Sequence, residues 1–189
     1  MNFKSISTII VSSIILTACA SVPPLNFTPN DDDIKIKKSR TINAELKTIT
    51  VSSAKPSEQI GQIQVGFGGN QYESSLKETL KSSLEESLLK SQIFNDDSDN
   101  KLSLLAKVMK LESPDGGLNF KTYTTIRYQL IERKNGHIVY DKLITSTGEI
   151  PFNYSVLGIA RFHEARNISM RNNIKNFIND LNKNGLSKY

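Results

Sequence analysis

The chain has 189 residues, 38% of them hydrophobic and 23% charged, with a formal net charge of +5. That length suits one domain, and the apolar fraction excludes both wholesale disorder and a multi-span membrane protein. The single cysteine, Cys19, excludes an intramolecular disulfide and any cysteine-rich zinc or iron-sulfur site.

Lys4 is the only charge before Asp31. It precedes an apolar run from Ile6 to Leu16, diluted by Ser7, Thr8, Ser12 and Ser13, that is far shorter than the roughly 20 apolar residues a bilayer span needs. Residues 1–18 therefore read as a secretory signal and not as a transmembrane anchor. The run ends in Leu16-Thr17-Ala18-Cys19, which resembles the lipobox of bacterial lipoproteins: a branched apolar residue, two small ones, then the cysteine that becomes the mature N-terminus. The resemblance implies cleavage before Cys19 by signal peptidase II, a diacylglyceryl group on its thiol, a further acyl chain such as palmitate, and attachment to the membrane through those chains. Each buried CH₂ contributes about 0.8 kcal/mol, and two or more chains anchor stably where one does not. Ala20 and Ser21 follow the cysteine with no aspartate, which in Gram-negative lipoproteins implies passage to the inner leaflet of the outer membrane, facing the periplasm. The other reading is a secreted protein cut after Ala18, with Cys19 a free thiol.

Residues 19–40 carry Pro23, Pro24 and Pro29, the acidic run Asp31, Asp32 and Asp33, and the basic group Lys35, Lys37, Lys38 and Arg40, with no sustained apolar period. They read as the lipidated N-terminus and a flexible linker, with an end-to-end distance of about 25 Å that lets the domain stand clear of the membrane. The acidic run lacks the glycine and distal glutamate of an EF-hand loop and reads as solvated. The folded domain is expected over 41–184, with 185–189 a C-terminal tail.

Thr41 to Ser53, with Ile42, Leu46, Ile49 and Val51, reads as a first strand. Ile60 to Phe67 reads as a short extended piece. Leu76, Leu80, Leu84 and Leu88 recur every four residues behind Tyr72, and Asn70 with Glu73 matches a capping box, so a helix is expected over about Gln71 to Ser91. Leu102, Leu104, Ala106 and Val108 alternate, as do Ile126, Tyr128 and Leu130. Asn135-Gly136 then signals a type I′ hairpin into a strand from His137 to Thr147. A second long helix is expected over about Val156 to Lys183, with Ile159, Ala160, Met170, Ile174, Phe177, Ile178 and Leu181 on one stripe. The order β-α-β-β-β-α predicts an α+β two-layer sandwich: an antiparallel sheet with two long helices on one face.

No catalytic constellation appears: the nucleophile elbow, the zinc helix motif and the P-loop are absent, and no cofactor or metal is expected. Gly66-Phe67-Gly68-Gly69-Asn70 precedes a helix N-terminus, but a dinucleotide fingerprint needs a glycine at Gln71, so the loop reads as helix entry. His163 projects near the centre of the second helix's apolar stripe, one turn before Asn167. It reads first as a core histidine satisfied by a neighbour, and second as a ligand-binding or pH-sensing group. Arg161, Arg171 and Lys175 project away from that stripe, as a solvated face or as one that leans on anionic lipid or a negative partner. These five residues are the candidate ligand or partner contacts. The opposite sheet face, with Tyr123, Thr125, Arg127, Gln129 and Ile131, is mixed polar and aromatic. No nucleic-acid partner is expected, because an exported, membrane-tethered protein meets little of it.

The lipobox, the linker and the β-α-β-β-β-α core together resemble small envelope lipoproteins such as the lipopolysaccharide-assembly lipoprotein LptE and the auxiliary lipoproteins of lipid-transporting ABC systems. The resemblance implies a non-enzymatic accessory or binding subunit of an envelope assembly or transport complex, with an envelope protein as partner. The alternative is a lipid or small-ligand carrier whose pocket opens between the helix pair and the sheet, near His163.

Overall fold

The computed structural model describes residues 22–34, 41–64, 69–113 and 119–186, with side chains from 73 onward in the first long helix. Leu16, Thr17, Ala18 and Cys19 lie outside the described residues, as do Gly66 to Gly68 and the side chains of Asn70 and Tyr72.

Alternation builds the sheet. Leu102, Leu104, Ala106 and Val108 are buried along β2 (Lys101–Glu112), and Ile126, Tyr128 and Leu130 along β3 (Phe120–Glu132). β4 (Ile138–Ile150) pairs back along β3 from Phe120↔Ile150 to Ile131↔Ile138, completing a three-stranded antiparallel meander. The first strand departs from the expectation. β1 (Glu45–Ser53) runs parallel to β2, from Glu45↔Lys101 to Ser53↔Val108, so the sheet is mixed, in the order β1-β2-β3-β4. The cause is a helix between the two strands. It returns the chain along the sheet, and β2 must then start at the end where β1 started. β1 is also shorter than Thr41 to Ser53, with Ile42 only bridging Phe94. Past a 3-10 turn at Pro56–Glu58, Ile63 resumes parallel pairing with Leu111.

The Asn135-Gly136 hairpin forms with a different turn. Gly136 has φ +76°, but Asn135 is not among the residues with positive φ, so the turn is not type I′. The Gly136 N–H instead donates to the Glu132 carbonyl at 2.8 Å, and the Glu132 N–H to the His137 carbonyl, which closes a four-residue loop around one left-handed glycine.

Among the described residues, two long helices, α2 (Gly69–Ser91) and α3 (Gly158–Asn184), pack on the sheet, and the one-turn helix α1 (Asp31–Ile34) lies against both of them. Leu76, Leu80, Leu84 and Leu88 of α2 and Met170, Ile174, Phe177, Ile178 and Leu181 of α3 join the sheet's apolar residues in one core cluster. Tyr128 stacks on Phe177 at 3.9 Å and 5°, with the Tyr140 ring edge-on to Phe177 at 5.7 Å.

A polar layer lies beside that stack. The Tyr128 hydroxyl donates to Asn173 Oδ1 at 3.0 Å. Asn173 Nδ2 donates to the Ile144 carbonyl at 2.8 Å and to Ser146 Oγ at 3.0 Å. Ser146 Oγ donates to the Ser169 carbonyl and Ser169 Oγ to Thr124 Oγ1, each at 2.8 Å. All these side chains are buried, so each bond matters: losing one partner strands another polar atom at a cost of about 1–3 kcal/mol. Burial pushes the Tyr128 phenol pKa above its ordinary value. The layer requires α3 to approach β4 closely, and Gly148 permits it. A Cβ there would lie inside 3.0 Å of both the Ala165 carbonyl oxygen and the Ser169 nitrogen. Asn172 and Asn176 of α3 also donate to the Thr147 and Thr145 carbonyls, at 2.9 and 3.5 Å, and so occupy two carbonyls in the second half of β4.

The expectation of a flexible linker over 19–40 does not hold across 22–34. Phe27 and Ile34 are fully buried members of the core cluster, with Leu25 packed against it, and α1 touches both long helices. Residues 22–34 form a strap across the helix pair, so the folded unit begins well before Thr41.

Candidate functional site

The strap gathers three of the five candidate contact residues. Asn167, fully buried on α3, accepts a hydrogen bond from the Asn26 N–H at 3.1 Å and donates to the Pro24 carbonyl at 2.9 Å and to Glu164 at 3.1 Å. Arg171 Nε donates to the Asn26 carbonyl at 3.1 Å while its Nη2 pairs with Glu164 at 3.0 Å. Lys175 pairs with Asp33 at 2.7 Å. On the α2 side, Thr28 donates to Glu86 at 3.0 Å and Asp31 pairs with Lys90 at 3.0 Å. The acidic run is therefore not simply solvated, and the α3 cations face the chain's own N-terminal segment.

Arg161 and His163 lie apart from that seam. Arg161 does not project into solvent: it is 7% exposed, with its guanidinium 4.8 Å from the Phe120 ring and 4.7 Å from the Phe152 ring. Arg166 is fully buried, donates to the Gln64 carbonyl at 2.8 Å and lies 4.4 Å from the Phe162 ring. His163 is half-buried and edge-on to Phe162 at 5.9 Å, off the buried stripe, and Asn167 bonds the strap instead of pairing with it. Burial and the Arg166 charge hold the His163 imidazole below its ordinary pKa.

A concave site appears elsewhere. A groove of about 830 Å³ runs between β1 and the C-terminal half of α2, lined by Leu46, Ile49, Leu88, Leu89 and Phe94 with Lys47, Lys81 and Glu85 at its sides. β1 is an edge strand with β2 on one side, and no other named strand lies beside it among the described residues. Leu89 is 73% exposed at the rim. The sequence carries one signal of it: Leu89 sits beside Leu88, outside the four-residue repeat that fills the core. A carrier pocket is expected between the helices and the sheet near His163; farther along α3, about 15 Å and more from His163, that interlayer space is filled by the Tyr128–Phe177 stack and the Asn173 layer.

Among the described residues, no helix is long and apolar enough to cross a membrane, and no cluster of histidine, cysteine and carboxylate side chains could hold a metal ion.

No protein-family model matches the chain, and no curated protein sequence matches it significantly. Solved structures do. Protein XCC0632 from Xanthomonas campestris, of the DUF330 family, is 15% identical and superposes with a TM-score of 0.54, covering 86% of this chain and 94% of that one. Protein CT253 from Chlamydia trachomatis is 8% identical at a TM-score of 0.47, covering 74% and 96% of the respective chains. A minor lipoprotein from Acinetobacter baumannii is 12% identical at 0.46, covering 79% and 98%. The first shares the fold of this chain, and the other two resemble it more loosely.

Proposed function

We propose that the chain is an envelope lipoprotein, anchored through acyl chains on Cys19 in the inner leaflet of the outer membrane, that serves as a non-enzymatic binding subunit of an envelope assembly or transport complex. The observation that carries the binding role is the groove along β1. It combines a strand edge that is open among the described residues, offering a row of backbone donors and acceptors, with an apolar floor from Leu46, Ile49 and Phe94. An extended segment of a partner protein can add to such an edge as a further strand, taking affinity from main-chain bonds and specificity from side-chain pockets. Along β4, in contrast, Asn172 and Asn176 of α3 already occupy two of the carbonyls, those of Thr147 and Thr145. The carrier reading has less support, since the Tyr128–Phe177 stack and the Asn173 layer fill part of the volume beneath the helix pair.

Two measurements test this. Cys19→Ser is expected to remove the acyl mass and release the protein from the membrane fraction; a variant still firmly membrane-bound would refute the anchor. A photo-crosslinking residue at position 89 is expected to capture one specific envelope protein in intact cells, while the same residue at position 142 on β4 captures none. Equal or absent capture at both positions would refute the groove as the binding surface.

A further inference from the structure

Exposed large apolar side chains are not spread evenly over the described surface. Phe152, Tyr154, Val156 and Leu157 are 52%, 49%, 83% and 39% exposed, and all four fall in the short connection between β4 and α3. No charged residue lies between Glu149 and Arg161. The connection is braced from beneath, because Arg161 is held between the Phe120 and Phe152 rings. An isolated exposed leucine needs no explanation, but a contiguous, rigidly supported group of aromatic and aliphatic side chains marks an interaction surface.

The path of the strap says what covers it. Asp33 lies by Lys175, Asn26 by Arg171 and Asn167, and Pro24 by Asn167. Traced back toward Cys19, the strap therefore runs toward the N-terminal end of α3 and the exposed connection. From Asn167 to Gly158 the helix rises about 14 Å. The five residues from Pro24 back to Cys19 span up to about 17 Å when extended. Val22, itself 41% exposed, is the last described residue on that path.

We infer that the Phe152–Leu157 connection is a second membrane contact, seated in the interfacial layer of the bilayer that holds the acylated N-terminus. This rests on the anchor at Cys19. Tyrosine and other aromatic rings favour the head-group level, and aliphatic neighbours reach the acyl boundary. The strap leaves too little free chain for the domain to stand off, so the lipid surface and the apolar connection are brought together by covalent reach. The arrangement also orients the molecule. The groove at the start of β1 and the end of α2 lies at the opposite end of the sheet, facing the aqueous compartment where a partner approaches.

The chain has no tryptophan, so a single introduced one reports its own surroundings. Val156→Trp and, at the far hairpin, Lys134→Trp are placed in the full acylated protein and reconstituted into vesicles of phosphatidylethanolamine and phosphatidylglycerol. The expected result for V156W is a shift of emission to shorter wavelength with quenching by brominated acyl chains, and for K134W no change. Acyl mass present with unshifted V156W emission overturns the second contact alone. Shifts in both variants overturn it as well, since the domain then has no fixed orientation. Absence of acyl mass overturns the anchor and the inference together.

Discussion

Gly148→Ala is expected to lower stability by about 3 kcal/mol, at the upper end of what overpacking a well-filled site costs. The added carbon would meet the Ala165 oxygen and the Ser169 nitrogen inside 3.0 Å, and both are backbone atoms that cannot rotate out of the way. α3 must retreat from β4, and retreat breaks the bonds that Ser146, Ser169 and Asn173 make across the seam. Denaturant unfolding should show a lower midpoint with an unchanged slope, because the loss lies in the folded state. A change below about 1 kcal/mol would mean that the helix does not pack this closely.

Phe27→Ala is the second large effect, expected at about 3–5 kcal/mol as for other fully buried phenylalanines. The Lys175–Asp33 pair has side chains 37% exposed on both partners and belongs to a class worth about 0–1 kcal/mol, so the ring and not the ion pair holds the strap. Limited proteolysis of the variant should cut within residues 22–34 while the wild type resists. If those residues were a linker, the substitution would change stability by no more than about 0.5 kcal/mol and leave the cleavage pattern unaltered.

Periodic elements are legible in the sequence because each is specified locally. The leucines of α2, the alternation of β2 and β3 and the α3 stripe from Met170 to Leu181 bury the residues their spacing selects, whereas Ile159 at the start of α3 is only half-buried. The features that escape such reading are non-local. The direction of β1 is set by the crossover helix, not by anything within Glu45–Ser53, and the geometry of the Asn135-Gly136 turn is set by which residues pair across it. The strap is hidden by composition: prolines and aspartates resemble a solvated tether, and Leu25, Phe27 and Ile34 follow no helical or strand period. Arg161 escapes for a related reason. A helical wheel gives its direction, but not that the Phe120 and Phe152 rings close over it from outside the helix. Of the candidate contacts, Asn167, Arg171 and Lys175 are joined in one site, although their common partner is the chain itself.

The strap also has a mechanical consequence. In the proposed lipoprotein, a pull on Cys19 would reach the described residues at Val22 and run along α3, in line with the strap, so that the hydrogen bonds of Asn26 and Asn167 and the buried ring of Phe27 would be loaded together in shear instead of peeling one at a time. Force from the proposed partner at the distal groove would thereby pass to the proposed lipid anchor through the core of the domain, and the strap would be the coupling that must hold under that load.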